Sequence, residues 1–133
     1  MQFQTLVRSI DEDSITDVEV LIRKLRSELP QVYNAKSVEA FSDVFLYVLQ
    51  IGVKLGYSPM MLYLPARPQV LPNLVEQFKK INMTIARREQ HQDWFHDLFA
   101  LFVGMASVLR LSWHDIERRI VEGKTDKLGD ERR

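Results

Sequence analysis

Two stretches of this chain carry one pattern. Residues 41–58, FSDVFLYVLQIGVKLGYS, and residues 95–112, FHDLFALFVGMASVLRLS, align without a gap at an offset of 54 positions. Phe41, Asp43, Phe45, Leu55 and Ser58 recur as Phe95, Asp97, Phe99, Leu109 and Ser112. The positions between are mostly apolar in both. Each copy opens on carboxylates, Glu39 and Asp43 in the first, Asp93 and Asp97 in the second. A helix that is apolar nearly all round has to lie inside a bundle, because water cannot cover any of its faces cheaply. The likeness reads either as an internal repeat, residues 14–58 and 73–112, or as two buried helices that look alike because both are rich in leucine and phenylalanine.

The rest of the chain supplies cover for these two helices. Ser14 and Asp17 have the spacing of a capping box, and Ile15, Val18, Leu21, Ile22, Leu25 and Leu29 follow at helical spacing up to Pro30. This predicts an amphipathic outer helix ending at Pro30. Ser37 can cap the first apolar helix, and Gly56 is placed to end it. Ser58-Pro59 can start a further turn. Three of the five prolines fall between Pro65 and Pro72, so that stretch cannot be regular helix and reads as a crossover between halves. Leu74, Val75, Phe78, Ile81 and Ile85 predict a second amphipathic helix. The second apolar helix is expected from about Gln92 to Leu109, and a last one from Trp113 to about Glu122, capped by Ser112. The tail, 123–133, is short and charged and is expected to be mobile. No segment alternates with period two. The prediction is a single all-α domain over 1–133, a helical bundle of about five helices built from two similar helix pairs.

Composition narrows the class. With 46% apolar and 27% charged residues the chain is expected to fold around a core. Basic and acidic residues both number 18, a balance that gives no sign of nucleic-acid binding. The absence of cysteine excludes disulfides, thiolate metal sites and a cysteine nucleophile. No basic, apolar leader stands at the N-terminus. The longest uncharged run, Leu98 to Leu109, is shorter than the roughly 20 residues that cross a bilayer. The expectation is a cytoplasmic protein with no membrane partner. Two central apolar helices with only one amphipathic helix per half also predict a homo-oligomer.

The acidic helix starts are the feature that points to chemistry. Glu39 and Asp43 are four residues apart, so they share a helix face, and Asp93 and Asp97 repeat the spacing. If the apolar helices pack side by side, all four carboxylates can approach one another at one end of the bundle. Such a cluster repels itself unless a hard cation sits within it, and Mg²⁺ or Mn²⁺ suits oxygen ligands. A metal held there would orient a triphosphate and activate water for attack on phosphorus. The alternative is plainer: acids at a helix N-terminus offset the positive end of the dipole by about 0.3–1 kcal/mol each.

Other residues carry less. His96 follows Asp93 at the carboxylate–histidine spacing of di-iron bundles, but Ser42 occupies the matching position in the first copy. His91 and His114 read as exposed polar residues. Trp94, Phe95 and Trp113 can stack on a nucleobase, although aromatic residues at helix ends more often pack into the core. No GxSxG, Walker-type loop or HExxH occurs.

From Asp97 the segment DLFALFVGMASVLRLSWHDIERRIVEGKTDK resembles the C-terminal half of the all-α nucleotide pyrophosphohydrolases, the MazG and dimeric dUTPase group. DVFLYVLQIGVKLGYS, from Asp43, resembles the same element. The resemblance implies an oligomer with sites between helices and Mg²⁺-dependent cleavage of a phosphoanhydride bond in a nucleoside triphosphate. Asp43 and Asp97 match the last acid of the family's ExxD, and Lys124 matches its closing lysine. Ala40 and Trp94 stand where the family has glutamate, and neither Asp17–Glu19 nor Glu76–Lys79 forms the family's ExxE.

Two expectations follow. The first is a pyrophosphohydrolase with Asp43 and Asp97 as leading metal ligands, Glu39 and Asp93 assisting, Lys79, Lys124 or Lys127 offsetting charge on phosphate, and Trp94 against the base. The second is a catalytically degenerate MazG-like helical module acting in oligomer assembly or partner binding.

Overall fold

The computed structural model describes residues 17–56 and 68–131, with side chains to residue 122. It is an all-α bundle, with no strand among the described residues. Its helices are α1 (Val18–Ala35), α2 (Val38–Lys54), α3 (Leu74–Ala86), α4 (Trp94–Val108) and α5 (Trp113–Glu131), with a short 3-10 turn at Arg88–Gln90 before α4. Helices α1 and α2 pack as one hairpin and α3 and α4 as another, while α5 lies against α2.

Local chemistry sets most of the boundaries. The Asp17 side chain accepts from the Glu19 amide at 3.0 Å, that of Ser37 from the Ala40 amide at 3.1 Å, and that of Asn73 from the Glu76 amide at 2.9 Å. Each satisfies an amide that the first helical turn leaves without a partner. Ser14 lies outside the described residues, and so do Ser58 and Pro59. Gly56 stops α2 in a left-handed conformation (φ 90°), as expected.

Two boundaries differ from the sequence reading. Helix α1 does not end at Pro30 but continues to Ala35 and closes on Lys36 at φ 51°. Proline removes one hydrogen bond from a helix interior. Here Leu29 and Val32, on either side of it, are both buried, so tertiary packing carries the helix past the break. Helix α5 runs to Glu131, beyond the end expected near Glu122. No proline follows Trp113 to break the helix.

An aromatic seam joins the two halves. The Phe41 ring lies 6.4 Å from Phe102, and Phe45 lies 5.8 Å from Phe99. Trp113, at the start of α5, packs on both Phe41 and Phe45, at 6.1 and 5.5 Å. Residue numbers rise along α2 as they fall along α4, so the two apolar helices run antiparallel. Leu25, Leu29, Val48, Leu49, Ile81, Ile85, Leu98, Leu101 and Ile116 complete the core around them.

Helix α4 is covered on its remaining side by an extended strap, residues 69–71. The Gln69 amide donates to the Ala100 carbonyl at 3.1 Å. Gln77, fully buried on α3, donates from Nε2 to the carbonyls of Gln69 and Leu101, both at 2.8 Å, and its Oε1 accepts from the Leu71 amide at 2.9 Å. Every polar atom of this buried amide is thus satisfied. The strap can come this close because residue 104 is glycine: a Cβ there would stand 2.1 Å from the Gln69 carbonyl oxygen. Among the described residues, no single helix is long and apolar enough to cross a membrane.

Candidate functional site

The seam geometry decides where the four acids go. Asp43 lies two residues from Phe41 and from Phe45, and Asp97 lies two residues from Phe95 and from Phe99. At about 100° per residue, two steps turn a side chain to the opposite side of a helix. All four of those phenylalanines are buried, so Asp43 and Asp97 point outward, and both are exposed. Glu39 and Asp93 are exposed too. Along the antiparallel pair, the Phe45–Phe99 contact leaves Asp43 and Asp97 about one turn apart in height, with Glu39 and Asp93 further apart. Among the described residues, no three His, Asp or Glu side chains are grouped so as to hold a metal ion. Within one chain, then, Glu39, Asp43, Asp93 and Asp97 do not form the expected cluster for Mg²⁺ or Mn²⁺. The Asp93 side chain makes no capping bond to α4 either.

The aromatic residues divide. Phe95 is buried and Trp113 sits in the seam, so both serve packing. Trp94 is half-buried and stands edge-on to Phe95, with ring centres 6.0 Å apart. It opens onto a cleft of about 220 Å³ between α3 and α4, lined by Gln69, Lys80, Met83, Thr84, Arg87, His91, Trp94 and Asp97. Two residues singled out from the sequence, Trp94 and Asp97, therefore meet in one place.

Lys79 is not part of this cleft. It faces solvent and pairs with Glu76 across 3.8 Å, an exposed i, i+3 contact of small energetic value. Its neighbour Lys80 lines the cleft instead. Lys124 and Lys127 lie on the backbone of α5, and their side chains are outside the described residues.

No protein-family model, curated protein or solved structure matches this chain. Its functional reading therefore rests on its own geometry.

Sequence reasoning missed Lys80, Thr84 and Arg87. Their spacing of i, i+4 and i+7 places them on one stripe of α3, with Met83 between. A search for a basic stripe on the helix preceding the second acidic start would have found them. The pairing of the hairpin then sets their heights. Gln77 reaches Leu101, so in an antiparallel pair Lys80 comes level with Asp97, Thr84 with Trp94, and Arg87 with His91. Among the described residues Lys80, Arg87 and Asp97 make no ion pair within 4.0 Å. Thr84 donates its hydroxyl to the Lys80 carbonyl at 2.8 Å.

A second polar link lies outside the cleft. The Tyr47 hydroxyl donates to Glu28 at 2.5 Å, tying α2 to α1. Burial, together with the hydrogen bond and charge of Glu28 and the charge of Asp43, pushes the Tyr47 pKa up to about 12.

Proposed function

We propose that this chain is a helical module of MazG-like pattern that acts by assembly or partner binding. One observation carries the reading. The acidic starts of the two matched helices face outward from an antiparallel seam, and among the described residues no three carboxylates are grouped to share an ion. Apolar side chains that a partner or a second copy can use remain at the surface beside the α1–α3 contact. Tyr33 and Val75 are 39% and 43% exposed, and Tyr33 stands edge-on to Phe78 at 5.2 Å.

The test pairs hydrodynamics with metal response. Sedimentation at micromolar concentration should show a species larger than the monomer, and Tyr33→Asp or Val75→Asp should shift it toward the monomer. Mg²⁺ should leave the melting temperature of the wild type and of the Asp43→Asn, Asp97→Asn double variant unchanged, since only an ion that binds the native state raises it. A monomer throughout, together with a metal-dependent rise in melting temperature, overturns this reading.

A second reading is a Mg²⁺-dependent nucleoside triphosphate pyrophosphohydrolase whose site is completed between copies. Its support is that Asp97 and Trp94 open onto the same cleft as Lys80 and Arg87, a carboxylate, a stacking surface and two cations for a nucleotide. Pyrophosphate release from the nucleoside triphosphates with Mg²⁺ or Mn²⁺, lost in Asp97→Ala, is its expected outcome. No turnover with any of them removes it.

A further inference from the structure

The cleft between α3 and α4 has its charges sorted along its length. At one end, where α3 closes and α4 begins, Arg87 stands level with His91. At the other, Lys80 comes level with Asp97, and Thr84 and Trp94 lie between the two ends. Lys80 and Arg87 are seven residues apart, about 10 Å along the helix axis. The cavity is below the range of about 300–1,000 Å³ that usually holds a drug-sized ligand, so its occupant has to be compact.

We propose that this cleft binds, without a metal ion, a small flat-ring acid: an aromatic ring bearing one carboxylate or phosphate and one hydroxyl or ring N–H. The oxyanion pairs with the Arg87 guanidinium, whose planar fork matches either group, and His91 lies beside it as a further donor. The ring lies on Trp94, where stacking favours a flat face over a puckered one. The hydroxyl or N–H of the ligand donates to Asp97, and Lys80 balances that carboxylate. Gln69 forms the far wall, held in place by the bonds of its backbone to Ala100 and Gln77. Asp97 on its own repels anions, and the separation along the cleft keeps it away from the oxyanion end. This inference depends on neither functional reading above, since it needs no turnover and no second copy.

Titration calorimetry on the intact chain in EDTA tests it, with 4-hydroxybenzoate, 4-hydroxyphenyl phosphate, inorganic phosphate and cyclohexanecarboxylate as probes. At least one of the two ring acids is expected to bind saturably at one site. Which of them binds tells carboxylate from phosphate. Inorganic phosphate and cyclohexanecarboxylate should bind at least about threefold more weakly, from the loss of stacking. Arg87→Ala should weaken the ring acid by about tenfold or more, and Arg87→Lys by less. Trp94→Leu should remove the preference for a flat ring and leave residual anion binding. Arg87 is exposed, so its replacement is expected to leave the melting temperature in place. Quenching of tryptophan fluorescence provides a second readout on the wild type. No saturable binding of either ring acid, equal binding of cyclohexanecarboxylate, or full binding in Arg87→Ala overturns the proposal.

Discussion

Helices α2 and α4 carry matched sequences and end alike, but they are held in place by different means. In α2 the chain turns out of the helix on Gly56, whose amide donates to Val53 at 3.0 Å. The equivalent residue of α4 is Arg110, also left-handed at φ 58°, with its amide on Ser107 at 3.1 Å and the next amide, of Leu111, on Ala106 at 2.9 Å. The two helices thus share a terminator despite the change of residue. Their starts differ, since Ser37 caps α2 whereas the Asp93 side chain bonds no amide of α4. Their outer faces differ more. Tyr47 of α2 reaches Glu28, while its counterpart Leu101 is fully buried and offers its carbonyl to Gln77. Gln50 of α2 has Gly104 as its counterpart, against which the strap lies. A shared pattern therefore specifies a helix, its inner face and its end. The neighbours decide what becomes of the other face.

Substitutions at matched positions can break or sharpen this contrast. The largest effects belong to the seam, where the copies should behave alike. Phe45→Ala and Phe99→Ala should each cost about 3–5 kcal/mol in chemical denaturation, because both remove a buried ring from the same contact. A cost below about 1 kcal/mol at either position would show that the seam is not the centre of the fold. Next come the positions that ought to differ. Gly104→Ala should destabilise by about 1–3 kcal/mol, since the strap must move away from α4. Gln50→Ala should stay within about 0.5 kcal/mol. Equal effects at the two would erase the distinction.

At the terminators the signs should oppose. Gly56→Ala should cost about 1 kcal/mol, because alanine is strained at φ 90° although nothing crowds it. Arg110→Gly should gain about 0.5 kcal/mol, the relief of a left-handed arginine less the entropy of an added glycine in the unfolded chain. Thermal melts of both variants read this directly.

The smallest effect is confined to alkaline pH. Tyr47 has its pKa raised to about 12 in the folded protein, against 10.0 for the ordinary group. Between these values the native state holds a proton that the unfolded chain releases, so unfolding is favoured as pH rises. The contribution is fully present below pH 10 and is lost as pH climbs toward 12. Tyr47→Phe should remove that part of the alkaline slope. Identical slopes for variant and wild type from pH 10 to 12 would show that the Glu28 contact does not hold the proton.

Much of the fold was legible in the residues. Helical spacing located α1 and α3, Ser37 and Gly56 marked the two ends of α2, and the packing of Phe95 and Trp113 against the core followed from the habit of aromatic residues at helix ends. Pro30 misled, because a local breaker is overcome when Leu29 and Val32 are both pulled into the core. Gln77 gave no signal at all. A glutamine on a helix looks like a surface residue until the Gln69 carbonyl of the strap and the Leu101 carbonyl, 24 residues away from Gln77 in sequence, both meet its amide. The candidate site was read only in part. Trp94 and Asp97 were singled out and do share a cleft, while the basic stripe of Lys80 and Arg87 that completes it went unseen behind Lys79.

What the sequence determined by itself was the apolar side of each helix, since periodicity belongs to a single helix and needs no partner. From that alone came the bundle and the two central helices. The direction in which those helices pass one another was decided only in three dimensions, by rings that interlock Phe41 with Phe102 and Phe45 with Phe99. The outward facing of Asp43 and Asp97 needed no such contact, because a residue two places from a buried phenylalanine faces the other way on any helix.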